Sequence, residues 1–86
     1  SKELTYLNGD ADITIRYFHK IPGRAVFNPD AMPMEEIVIH GIYSALYSEE
    51  EGNILYWDTG IIEYIITAEP GISQTEIILI ADSIMG

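Results

Sequence analysis

The chain has 86 residues, 48% of them apolar and 10% aromatic, with 14 acids against four Lys and Arg and a net charge of −10. This length supports one hydrophobic core rather than two, so a single domain over residues 1–86 is expected, and the apolar share is too high for a disordered tail. Cysteine is absent, which removes disulfides, thiolate catalysis and thiolate-bound zinc and permits a reducing compartment.

The longest unbroken apolar run, residues 77–81, falls far short of the roughly 20 residues a membrane-spanning helix needs. The first residues, Ser1-Lys2-Glu3-Leu4, lack a basic region leading into an apolar stretch, and no Asn-x-Ser/Thr acceptor occurs. A cytoplasmic protein is the expectation. All four basic residues, Lys2, Arg16, Lys20 and Arg24, precede position 25, whereas residues 44–86 hold eight acids and no base. Such a surface repels phosphates and anionic lipids, so direct nucleic-acid or membrane binding is disfavoured. The same field attracts a basic partner, although it serves solubility equally well.

Residues 4–7 read as a short strand before the turn-like Asn8-Gly9-Asp10. Residues 12–19 alternate, with Ile13, Ile15 and Tyr17 opposite Thr14, Arg16 and Phe18, the period of a half-buried strand. Pro22-Gly23 suits a type II turn into a strand over 24–27. Pro29 and Pro33 make 28–34 a loop. Residues 36–47 alternate throughout, which predicts one long strand with a bulge or bend at Gly41. On that reading Val38, His40, Ile42, Ser44 and Leu46 share one face, and Ile37, Ile39, Tyr43, Ala45 and Tyr47 the other.

A charged hairpin loop, Ser48-Glu49-Glu50-Glu51-Gly52-Asn53, leads to a strand over 54–57, and Asp58-Thr59-Gly60 turns the chain into another over 61–67. After Pro70-Gly71, Ser73 and Glu76 form a Ser-x-x-Glu capping box, and the apolar spacing of Ile77, Ile80, Ala81 and Ile84 predicts a helix over Gln74–Met85 closed by Gly86. The competing strand through 77–80 is set aside because cap and spacing agree. These elements predict an α+β fold, an antiparallel sheet of about five or six strands with one C-terminal helix packed on it.

No catalytic constellation is visible. No serine has a Gly-x-Ser-x-Gly context, no glycine pattern cradles phosphate, and Asp10-x-Asp12 continues into Thr14 and Arg16 rather than a calcium loop. His19 and His40, both in predicted strands, have no paired ligands, so no metal and no cofactor are expected. What remains is a set of acids, Glu49, Glu50, Glu51, Asp58, Glu63 and Glu69, travelling with the aromatics Tyr43, Tyr47, Tyr56, Trp57 and Tyr64. Tyr and Trp anchor interfaces, and carboxylates beside them complement a basic protein surface; the same aromatics also fill sheet cores.

Ile13-Thr14-Ile15-Arg16-Tyr17, Pro22-Gly23, Pro29, Pro33, Glu36-Ile37-Val38-Ile39 and, more loosely, the helix from Ser73 together resemble a pattern in small acidic accessory proteins of tailed bacteriophages and prophages. That resemblance implies no catalytic residues and a context in which small accessory proteins bind and block host machinery. With the acidic carboxyl half, the expectation is a non-catalytic inhibitor in the host cytoplasm that presents carboxylates from residues 49–82, mimicking nucleic-acid charge, to a basic groove of a host defence or nucleic-acid enzyme. The alternative expectation is a structural module forming a homo-oligomer through a sheet edge.

Overall fold

A computed structural model describes residues 2–8, 11–21, 23, 32–50 and 52–86. Six strands, β1 (Lys2–Asn8), β2 (Ala11–His19), β3 (Glu35–Ile39), β4 (Ile42–Glu49), β5 (Gly52–Asp58) and β6 (Ile62–Ala68), precede one helix, α1 (Gln74–Met85). They form one sheet in the order β1-β2-β6-β5-β4-β3, every neighbouring pair antiparallel. The α+β fold with a single C-terminal helix is therefore as expected. The meander β3-β4-β5-β6 closes onto the β1-β2 hairpin through the long-range β2–β6 ladder, Ile13↔Ala68 to His19↔Ile62.

Strand alternation sorts side chains onto two faces. One apolar row crosses four strands, Ile15↔Ile66↔Leu55↔Leu46, and each member is 3% exposed or less. Ile13, Trp57 and Ala68 flank it, and Ile72, Ile77 and Ala81 cover it from the C-terminal segment. Each fully buried large side chain here contributes about 1.5–3 kcal/mol of transfer free energy.

Residues 36–47 are not one bent strand. His40 (φ 50°) and Gly41 (φ 79°) both adopt left-handed backbone and close a two-residue hairpin in which Ile39 pairs directly with Ile42. Positive φ at both central positions matches the right-handed strand twist. The hairpin also resets the face assignment, since directly paired residues share a face. Ile37 and Ile39 join Ile42, Ser44 and Leu46 toward the helix, leaving Val38, Tyr43, Ala45 and Tyr47 on the other side.

The expected strand over 24–27 and most of the loop at 28–34 lie outside the described residues, as does Pro22; Gly23 has the positive φ (79°) its turn requires.

The helix begins as its capping residues predict: Ser73 is extended (ψ 152°) and its Oγ accepts the Glu76 N–H at 3.2 Å. At the other end the Gly86 N–H donates to the Asp82 carbonyl at 2.9 Å. Gln74 Nε2 reaches Met34 Sδ (3.8 Å) and His40 Nε2 lies 2.5 Å from Asp82 Oδ1. The helix thus runs alongside β3, tied at both ends to the β3–β4 hairpin and its approach. Ser73→Ala should lower the unfolding free energy by about 1 kcal/mol, read as a shift in urea midpoint at constant slope.

A tyrosine-walled acidic groove as candidate functional site

The sheet face turned away from the helix carries the candidate site. Ala45 pairs with Tyr56, and Tyr47 with Ile54. A small residue between aromatic neighbours leaves a depression, and the result is a groove of about 870 Å³ walled by Tyr43, Tyr47 and Tyr56. Glu36 enters from β3, Asp58 from the end of β5, and Lys20 from the residue after β2.

Backbone bonds place this corner. The Lys20 N–H donates to the Ile61 carbonyl at 2.7 Å, which seats Lys20 beside the β5–β6 turn. Its Nζ lies 2.5 Å from Asp58 Oδ2, and Asp58 Oδ1 accepts the Gly60 N–H at 2.6 Å. Thr59 Oγ1 accepts the Ile62 N–H at 3.1 Å, so the turn supplies its own caps. The hydrogen bond from the Lys20 ammonium holds the Asp58 carboxyl below its ordinary range, with the Gly60 amide helping and partial burial opposing. The same contact with Asp58 raises Lys20.

A carboxylate whose folded pKa is depressed contributes stability above its unfolded pKa and loses it as pH falls through the folded value. The wild type should therefore exceed Asp58→Asn in urea midpoint near neutral pH. That gap should narrow as pH falls below the ordinary carboxylate range. A gap unchanged by acid would show that Asp58 is not held ionised by Lys20.

Glu63 stands across the ladder from Asp58 and is only 5% exposed. Tyr56 Oη donates to Glu63 Oε1 at 2.6 Å, and Glu63 Oε2 is buried with no hydrogen-bond partner among the described residues. Burial of the Tyr56 phenol, reinforced by Glu63, raises its pKa well above the ordinary tyrosine range. Tyr56 is thus a protonated, fixed wall with a carboxyl group behind it.

The residues expected to form one binding face are divided by the fold. Tyr47, Tyr56 and Asp58 line the groove. Trp57 also borders the groove, but its ring lies on the helix side with Tyr64, where it is 1% exposed and stacks on Tyr64 with ring centroids 4.8 Å apart. Glu63 is buried, and Glu51 lies outside the described residues. Glu49 and Glu50 are exposed at the β4–β5 turn. Exposed Glu69 is beside them, because Gly52 packs against the backbone of residues 68 and 69. These three acids occupy the opposite end of β5 from Asp58, about 20 Å away at ~3.3 Å per residue.

Lys20 and Glu36 belong to the groove without having been singled out in the sequence. The Tyr43, Ala45, Tyr47 alternation marks one wall, but nothing local marks a lysine whose partner is 38 residues away. His19 is exposed at the end of β2, and His40 lies in the hairpin turn rather than a strand. Among the described residues no group of three His, Cys, Asp or Glu side chains is placed to hold a metal ion, and no helix is long and apolar enough to cross a membrane.

Residues 1–84 match the family model described as a domain of unknown function (DUF4367). The chain belongs to that family. Neither the curated proteins nor the solved structures contain a significant match.

Proposed function

We propose that this member of the family is a non-catalytic binding module that receives a protein partner of basic character on the sheet face turned away from the helix. The observation that carries the reading is the groove itself, with three tyrosine walls and carboxylates at Glu36 and Asp58 beside Lys20, the one cation among its described lining residues. Aromatic walls with acidic polar groups suit cationic side chains. Exposed apolar residues extend the surface: Val38 and Tyr43 form a cross-strand pair, 58% and 77% exposed, while Ile21 and Ile61 adjoin the Lys20 corner at 50% and 71%. Apolar patches rimmed by charge are a mark of interaction surfaces.

A short oligo-arginine peptide added to isotope-labelled protein should shift the amide resonances of residues 43–47 and 56–60. Its affinity should fall as salt rises, because opposed charges are screened within about 8 Å at physiological ionic strength. Equal binding of an oligo-glutamate peptide, or affinity indifferent to salt, would overturn the reading.

The narrower expectation, a mimic of nucleic-acid charge, has its support at the other end of the sheet, where Glu49, Glu50 and Glu69 are exposed together. If that surface carries the function, the shifts should gather around residues 48–53 and 68–70 instead. Self-assembly through a sheet edge has less to support it. β3 is an edge strand bearing exposed Glu35 and Glu36, and acids on an edge oppose pairing with a copy of the same strand.

A further inference from the structure

We infer that Lys20 is an internal placeholder for an arginine side chain of the partner, occupying the carboxylate of Asp58 until a guanidinium displaces it. The inference rests on the binding role of the groove and specifies which group enters, and where.

Lys20 reaches Asp58 from a different part of the chain, as an ammonium making one described contact. Both side chains remain open to water, at 41% and 27% exposure, so the pair is reachable without unfolding any element. Exposed Lys–carboxylate pairs are weak, since the long lysine stem loses rotamer freedom and water screens the attraction. A guanidinium makes better use of the same position. It can present two parallel N–H donors to one carboxylate, and its plane stacks on aromatic rings where an ammonium acts only as a point charge.

The groove offers both features. The Asp58 carboxylate is oriented by the Gly60 amide, which leaves lone pairs on both oxygens for an incoming fork. Tyr43 and Tyr47 stand on the same strand face as Ala45, and Tyr56 is held by its bond to Glu63. Among the described residues negative charge also exceeds what Lys20 neutralises. Glu63 acts on the same ammonium as Asp58 does, its second oxygen is buried with no hydrogen-bond partner among the described residues, and Glu36 adds a further carboxylate. A second cationic group is thus electrostatically accommodated when Lys20 swings into solvent.

The test is a titration of end-blocked Gly-Arg-Gly and Gly-Lys-Gly into wild type, Lys20→Met, Arg16→Gln and Asp58→Asn, followed by amide shifts. Lys20→Met keeps the stem and removes the competitor. It should bind the arginine peptide roughly three- to tenfold more tightly than wild type, with a smaller gain for the lysine peptide. Arg16→Gln removes a cation from the same sheet face without touching Asp58, and should gain less. In Asp58→Asn the arginine preference should disappear. If wild type binds at the groove and Lys20→Met binds no tighter, or Arg16→Gln gains as much, the placeholder role is overturned and the binding role of the face stands. If no variant shifts groove resonances with either peptide, both fail.

Discussion

Gly52→Ala should cost about 3 kcal/mol or more, the largest loss expected of a Gly→Ala change at any described glycine. Gly52 opens β5 at φ 135°, and a Cβ built on it would lie 1.9 Å from the Ala68 carbonyl oxygen and 2.9 Å from its carbon. Two penalties combine: a backbone region that L side chains rarely occupy, and a collision with main chain that cannot rotate away. Relief requires β5 and β6 to separate at Asn53↔Ala68, which pulls on the Leu55↔Ile66 core pair two residues further along. For a domain whose total stability is about 5–15 kcal/mol, that is a large fraction. Urea unfolding of the variant should show a midpoint well below wild type, and thermal melting a fall of more than about 10 °C. A control at Gly41, where φ is 79° but nothing lies within 4 Å of a built Cβ, isolates the conformational part and should lose less.

The contrast between those two glycines shows what local sequence carries and what it does not. Both stand in turn-like segments, and both positions can be read as bends. That Gly52 admits no Cβ depends on β6, a strand ten residues later. Likewise, period-2 alternation located β2, and the flanking turns with β-branched residues gave the general course of β5 and β6, because those signals reside in neighbouring residues. Alternation failed at residues 36–47 because the hairpin turn is His40-Gly41 rather than the Asn-Gly or Asp-Gly that usually signals a type I′ turn. A two-residue turn leaves the hydrophobic alternation running on visibly while inverting which set faces the core. The helix was legible to its ends, since Ser73, Glu76 and the apolar spacing all lie within the segment they specify.

The candidate site was legible only in part, for the same reason. Tyr47, Tyr56 and Asp58 belong to it, while Trp57, between two of them in sequence, borders it but turns its ring to the opposite face. Composition counted residues 49–69 as one acidic and aromatic group, but strands separate consecutive residues onto two faces and place the ends of one strand far apart. Asp58 is engaged by Lys20 and Gly60, Glu63 is buried against Tyr56, and Glu49, Glu50 and Glu69 stand at the far end. Acid count therefore overstates the carboxylate that one partner could meet.

Trp57 offers the sharpest separation between an aromatic that packs and one that binds. It is 1% exposed, lies parallel to Tyr64 within 11°, and belongs to a three-ring row that continues to Tyr17 at 6.0 Å. Trp57→Ala removes this surface and opens a cavity beneath the helix side of the sheet, so a loss of about 3–5 kcal/mol is expected. Its Nε1 has no hydrogen-bond partner among the described residues, so Trp57→Phe forfeits packing volume and no polar contact. That variant should lose less than half as much, keep a cooperative transition, and leave peptide-induced shifts in the groove unchanged. Tyr47→Ala, by contrast, should leave the urea midpoint closer to wild type while weakening the arginine peptide severalfold, because that ring faces the groove. If Trp57→Phe abolished groove binding at intact stability, the assignment of Trp57 to the core rather than to the partner surface would be wrong.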